Sequence, residues 1–227
     1  MANGRLIIMR HGQTQYNIER RMTGHTDVPL TEEGKNQARR AGHVLRHYPI
    51  DIAYASPLQR ARQTMELALT SANAHDNLRG DNKDWKIEER YDLIEKDVGD
   101  FAGRCHATCP EVRSHGRFYD KALPNGESDK DVVDRIQRFY QEEIKPLLDE
   151  GKTIVISCHS VVKRAFHVAL GDLSPENMFK VDMHNAQPWV IDFQEGKKIG
   201  SIYINPVDFN PEKIYPSKDF KRPPKFG

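Results

Sequence analysis

Cysteine is scarce in this 227-residue chain, with only Cys105, Cys109 and Cys158. An odd, sparse set is no disulfide framework and fits reduced thiols. Net charge is lacking too: 34 Lys and Arg stand against 33 Asp and Glu, a formal +1. No global field therefore draws the chain to nucleic acid. No apolar run approaches the roughly 18 residues of a membrane helix, so no membrane partner is expected either. Residues 1–5 are short and polar and hold no signal-peptide core, which makes the chain an expected cytoplasmic protein. A Walker-type glycine loop is missing. Cys105, His106, Cys109 and His115 lack the second half of a paired zinc motif, so no metal is expected. What is present is ordinary for one large globular domain, 37% hydrophobic and 30% charged.

Leu6-Ile7-Ile8-Met9 is a continuous apolar run, as in a strand buried on both faces. It leads straight into Arg10-His11-Gly12. Thr31 reads as the N-cap of a helix with Glu32 and Glu33 in its first turn. The apolar stripe of that helix is Ala38, Ala41, Leu45 and Tyr48, and Pro49 closes it. Residues 51–55 predict a second strand. Ser56-Pro57 then reads as an N-cap with proline at the first helical position. A short strand is expected within 85–91, a long helix from Ser128, a buried strand at 153–157 and a helix over 160–170. A closing strand pair, 188–193 and 199–204, is expected across Gln194-Glu195-Gly196. Residues 99–126, rich in Gly, Pro and polar residues, read as a functional lid. One domain is expected over 1–204, followed by a Pro- and Lys-rich tail, 205–227.

Strands alternating with helices predict an α/β fold with a mostly parallel sheet. Ligands of such sheets bind beyond the carboxyl ends of the strands. His11 ends the first strand, His159 ends the strand at 153–157, and Arg60 opens the helix after the second strand. All three fall on one edge.

Phosphate monoesters are among the slowest molecules to hydrolyse in water. Metals, a phosphate-cradling loop, or a cationic clamp with a nucleophile can overcome that barrier. Arg10, Arg60 and His159 form a candidate clamp of converging cations. Arginine forks match phosphate oxygens, and His159 stands before a helix N-terminus, which itself favours phosphate. His11 is the candidate nucleophile through a neutral ring nitrogen. Its other nitrogen needs an acceptor that fixes the tautomer, which the sequence does not reveal. Gly12 is expected to let the backbone turn sharply behind it. Glu95 is the candidate general acid, and afterwards the base for an attacking water. Taken singly, each residue has a plainer reading as a surface, capping or solvated side chain. Their joint placement carries the hypothesis.

These residues lie within longer motifs. Residues 6–34, LIIMRHGQTQYNIERRMTGHTDVPLTEEG, together with SPLQRARQT at 56–64, LIEKDVGDFAG at 93–103, PNGES at 124–128 and IVISCH at 154–159, resemble the histidine phosphatase superfamily, the phosphoglycerate mutase-like family. The resemblance implies a three-layer α/β/α sandwich acting on a small phosphorylated substrate. It implies that His11 is phosphorylated, that Arg10, Arg60 and His159 clamp phosphate with Asn17 as a further ligand, and that Glu95 donates the proton. It places Thr23 and Gly24 in the substrate pocket.

Residues 170–193 are most similar to the bisphosphoglycerate-dependent phosphoglycerate mutases. Residues 112–120 are faintly similar to the segment that holds their substrate-binding arginine pair, but only Arg117 matches, beside Gly116. Val98 stands where those mutases carry tyrosine, and Ser160-Val161 where they carry glycine and asparagine. The lid is also shorter. A mutase must hold its intermediate and exclude water, so these departures favour a phosphatase. The mutase, which would need a bisphosphorylated primer as its only cofactor, stays open as the alternative. An inactive phospho-ligand binding module is the reading from another class. Ser160 has two readings, a donor to phosphate or a helix cap, and the cap is preferred. Oligomeric state is open, with a homodimer the common form in the mutase branch.

Overall fold

Residues 5–10 become a central strand because both of its edges find partners and both of its faces find cover. The computed structural model describes residues 3–109 and 119–211. Strand β1 (Arg5–Arg10) pairs in parallel with β4 (Thr153–Cys158) and antiparallel with β5 (Trp189–Gln194). With β2 (Ile52–Ala55), β3 (Ile87–Glu89) and β6 (Lys197–Tyr203), the sheet runs β3-β2-β4-β1-β5-β6. The first four in that order are mutually parallel, and β5 and β6 form an antiparallel hairpin at the far edge.

The period-2 alternation of β1 divides the core into two layers. Ile7 and Met9 face α2 (Glu32–Leu45) and α3 (Gln59–Ala72), packing with Ala41, Leu45, Met65 and Leu69. Leu6 and Ile8 face the opposite layer, with Val133 and Ile136 of α4 (Asp129–Phe139) and Val162 and Phe166 of α6 (Ser160–Ala169). The result is the three-layer α/β/α sandwich. The long helix from Ser128 starts at a capping box with Asp131. It continues through a wide turn, Tyr140–Ile144, into α5 (Lys145–Asp149). The wide turn falls just before Pro146, which has no N–H to continue the α ladder. Glu195 and Gly196, with φ of 50° and 71°, make the tight β5–β6 turn. No helix among the described residues is long and apolar enough to cross a membrane.

The start of α3 differs from expectation. Thr31 caps α2 as its position predicts, its Oγ1 accepting from Gly34 N–H at 3.0 Å. Ser56 does not cap α3, which begins at Gln59 with no side-chain cap from its own N-cap residue, Leu58. Asp27 reaches across instead and accepts the Gln59 N–H at 2.8 Å. Ser56 Oγ is engaged by His159 at 2.7 Å.

The two ends of the 99–126 segment are pinned together. Asp100 N–H donates to Pro124 O at 3.2 Å, and Glu127 N–H to Asp97 O at 2.9 Å. Met22, Phe101, Cys109 and Leu123 form a small separate core beneath it, with Val98 packed against them. The middle of the segment, with Arg113, His115 and Arg117, lies outside the described residues, as does the tail beyond 211.

Candidate active site

The sheet edge brings His11 and His159 together because β1 and β4 are in register. Arg10 pairs with Cys158, and the ladder continues one residue further as His11 N–H donates to Cys158 O at 2.9 Å. The two imidazoles then sit with centroids 5.2 Å apart. Nδ1 of His11 lies 2.7 Å from the carbonyl of Gly12. A carbonyl only accepts, so Nδ1 carries the hydrogen and Nε2 keeps its lone pair. This is the tautomer-fixing acceptor that the sequence left open. Burial, and then the positive charges of Arg10 and Arg60, hold His11 well below the usual imidazole range, so it is neutral.

Gly12 is needed for a different reason from the one expected. It is not among the residues in the left-handed region. A Cβ there would lie 2.3 Å from the carbonyl oxygen of Gly34, in the first turn of α2. Close backbone approach, rather than a sharp turn, therefore selects glycine. The Gly12 N–H also donates to Thr64 Oγ1 at 2.9 Å, and that hydroxyl donates to Arg60 O at 2.7 Å. Gly12→Ala is expected to destabilise the fold by about 1–3 kcal/mol through overpacking. Denaturant unfolding checks this, and unchanged stability would mean that α2 yields freely.

Arg60, fully buried in the first turn of α3, is the hub of the site. Its Nη1 donates to Thr26 O at 2.8 Å, its Nη2 to Gly24 O at 2.9 Å and its Nε to His159 Nδ1 at 3.3 Å. Burial pulls its pKa down to about 10, against the attraction of Glu95 and Asp27, which leaves it cationic at neutral pH. Because His159 Nδ1 accepts from a guanidinium, its Nε2 carries the hydrogen and donates to Ser56 Oγ. Burial and the charge of Arg60 keep His159 well below its ordinary pKa. The expectation of three converging cations is thus corrected: Arg10 and Arg60 carry charge, and His159 is a neutral ring between a guanidinium and a serine.

Arg10 donates from Nη1 to Met183 O at 2.8 Å, while its buried Nε has no partner. Asn17 lies on the short helix α1 (Gln15–Ile18), in a capping box with Thr14. Its Oδ1 accepts from Thr14 N–H at 3.1 Å and from Asn185 Nδ2 at 3.4 Å. Asn185 was not singled out in the sequence. Its Nδ2 also donates to His11 O at 2.8 Å, and Ala186 N–H donates to Arg10 O at 2.9 Å. The 183–186 loop therefore holds the end of β1 in place. No periodicity marks that loop; only its position in the 170–193 stretch pointed toward it.

Glu95 sits on the N-terminus of α6. Its Oε2 accepts from Ser160 N–H at 3.1 Å, and its Oε1 from Val161 N–H at 3.3 Å and Lys96 N–H at 2.9 Å. A buried Lys96–Asp129 ion pair of 2.8 Å fastens this segment to α4. Gly24 joins the group through its carbonyl on Arg60, with a φ of 50° and Val98 packed against it. Thr23 precedes it, half-buried, and its carbonyl accepts from Thr26 N–H at 3.0 Å. Ser160 is not the helix cap expected. His159 occupies the N-cap position without a side-chain cap bond, and the Ser160 hydroxyl accepts from Arg164 instead. Arg117 lies outside the described residues. Among the described residues, no group of three His, Cys, Asp or Glu is arranged to hold a metal ion.

Four buried histidines, His11, His75, His159 and His167, share one consequence, and burial lowers His75 like the rest. His167, stacked on Trp189 and bonded to Tyr203 Oη at 2.6 Å, is pulled down to about 4 by burial despite the nearby Asp172. His11 and His159 are lowered likewise. Between these folded values and the unfolded value near 6.5, the unfolded chain binds more protons. Stability from this source is fully present above about pH 6.5 and is lost as the pH falls toward the folded values. Melting temperature is expected to drop over that window, and less steeply in His167→Asn. A flat profile from about pH 7 to 4.5 would contradict the buried neutral state.

A cluster of two arginines, two neutral imidazoles and a helix-end carboxylate, at the carboxyl ends of β1 and β4, defines a class. The model of the histidine phosphatase superfamily (branch 1) matches residues 6–203, and the chain belongs to that family. It is therefore an enzyme of a family that acts on small phosphorylated substrates. The 2,3-bisphosphoglycerate-dependent phosphoglycerate mutase 2 of Gloeobacter violaceus is 33% identical over 226 residues, spanning 97% of this chain and 94% of the relative. The 2,3-bisphosphoglycerate-dependent phosphoglycerate mutase of Cytophaga hutchinsonii is 33% identical over 203 residues, spanning 87% and 91%. Among solved structures, a mycobacterial glucosyl-3-phosphoglycerate phosphatase in complex with VO3 is similar at a TM-score of 0.68 and 27% identity, over 82% of this chain and 92% of its own. YhfR of Bacillus stearothermophilus is similar at 0.72 and 27%, over 86% and 94%.

Proposed function

We propose that this enzyme moves the phosphoryl group of a small phosphate monoester onto Nε2 of His11 and from there to water. The observation that carries the reading is the Nδ1–H bond from His11 to Gly12 O, which leaves Nε2 with its lone pair. In the first step, Nε2 attacks phosphorus, the N–P bond forms, and the ester P–O bond breaks with its electron pair on the leaving oxygen. Glu95 in its acid form protonates that oxygen. In the second step, the Glu95 carboxylate takes a proton from water as the water oxygen attacks phosphorus, and the N–P electrons return to Nε2.

Arg10, through its unpartnered Nε, and Arg60 stabilise the non-bridging oxygens, with Asn17 as a further donor. His159 orients Arg60. Thr23, Gly24 and Ser160 border the substrate, and Arg117 is a further substrate-binding candidate on the sequence resemblance alone. No metal ion takes part, so full activity in a chelator is expected, and loss reversed by one added metal would overturn this.

Net hydrolysis is favoured by Val98, an apolar side chain packed on Gly24 that offers no hydroxyl to a substrate. The mutase reading has its own support in the names of the 33%-identical relatives. Turnover with 3-phosphoglycerate, with and without a bisphosphoglycerate primer, separates the two. Free phosphate outrunning 2-phosphoglycerate is the expected result. Isomer accumulating faster than phosphate, dependent on primer, would make the enzyme a mutase.

A further inference from the structure

Arg164 belongs to no motif and to none of the roles above, yet it lies one helical turn behind Ser160 and close to Glu95. Its Nη1 donates to both Ser160 Oγ and, at 3.4 Å, Ser160 O. Its Nη2 donates to Val181 O at 3.0 Å. Its guanidinium lies over the ring of Phe179 at 5.2 Å, and its buried Nε has no partner. Val181 belongs to the loop that also receives Arg10 through Met183 O. One loop therefore grips both arginines.

The first turn of α6 is also where Glu95 is held. The N–H groups of Ser160 and Val161 donate to its two oxygens. Arg164 fixes Ser160 from the side-chain direction while Glu95 occupies its backbone N–H. Burial lowers the Arg164 pKa, and the attraction of Glu95 is the largest influence opposing that.

We propose that Arg164 is a positioning residue for proton transfer: through Ser160 it fixes the first turn of α6, and so the two N–H groups that aim Glu95 at the leaving oxygen. This rests on the reading of Glu95 as the general acid. Charged groups also face Glu95 from other elements. Arg10 at the end of β1 and Arg60 on α3 both feel its charge, His25 Nε2 lies 2.8 Å from its carbonyl, and Lys96 adjoins it. Removing Arg164 leaves Arg10 and Arg60 charged and bonded to Met183 O, Gly24 O and Thr26 O, but frees both Ser160 Oγ and Val181 O, so an effect on the acid must be separated from one on the clamp.

That separation gives a test by leaving group. A positioned acid matters most when the leaving oxygen is basic and little when it departs as a stable anion. For Arg164→Met, which keeps an unbranched side chain against Phe179, kcat/KM for a simple alkyl phosphate is expected to fall about 30-fold, and for p-nitrophenyl phosphate about threefold or less. Arg164→Lys should recover part of the alkyl phosphate rate. Ser160→Ala should show the same selectivity with a smaller loss, and it carries the test if Arg164→Met fails to fold. Glu95→Gln, measured alongside, should show the selectivity most strongly. Equal losses on both esters in the Arg164 and Ser160 variants, with Glu95→Gln still selective, would overturn the inference and leave the Glu95 role intact. An unselective Glu95→Gln would overturn the Glu95 role, and this inference with it.

Discussion

His11→Ala is expected to lower turnover by more than about 10⁴-fold and to abolish any covalent phosphoryl label, as loss of a nucleophile does elsewhere. Among the two imidazoles at this edge of the sheet, only His11 combines a lone pair at Nε2 with a backbone acceptor at Nδ1. His159 cannot take over in its present position, because its Nδ1 accepts from Arg60 and its Nε2–H is given to Ser56. The clamp itself should survive. Arg10 is held by Met183 O, and Arg60 by Gly24 O and Thr26 O, none of which involves the His11 ring. The variant should therefore still bind inorganic phosphate while failing to turn over. Retained phosphatase activity would remove His11 from the chemistry. Loss of both binding and turnover, in a folded variant, would show that the ring also builds the phosphate site.

His159→Ala is expected to cost about 10² or more in kcat, the scale for losing one preorganised electrostatic stabiliser. The neutral ring joins Ser56 Oγ to Arg60 Nε, so its loss frees both. Arg60 would keep its two bonds to the 24–26 loop and its charge, but not the contact that sets the angle of its Nε edge. Substrate affinity should fall less than kcat, because the charge stays while its aim is lost. A near-wild-type rate would show that Arg60 needs no orienting partner.

Much of this arrangement was legible in the chain. The Thr31 cap, the Ser128 start and the Gln194-Glu195-Gly196 turn are local signals satisfied by local contacts, and the Leu6–Met9 run shows a strand buried on both faces without naming its distant partners, β4 and β5. The rule that ligands lie beyond the carboxyl ends of parallel strands brings His11, Arg60 and His159 to one edge from the sequence alone. What escaped depends on long-range partners. Ser56 has the composition of a cap, but His159, distant in sequence, engages its hydroxyl, and Asp27 serves α3 instead. Gly12 serves a close approach to Gly34 that no local pattern reveals. Asn185 and Arg164 act from a loop and a helix flank whose neighbours exist only after folding. The charge state of His159 likewise follows from burial beside Arg60, which residue type alone does not fix.

A covalent phosphohistidine at His11 is what the proposed reaction most directly requires. Enzyme mixed with a radiolabelled phosphate monoester and quenched within the first turnover should carry label that is stable to alkali, lost in acid, and confined to the peptide containing His11. Label on another residue, or free phosphate released with no labelled protein at any quench time, would contradict a phosphohistidine at His11.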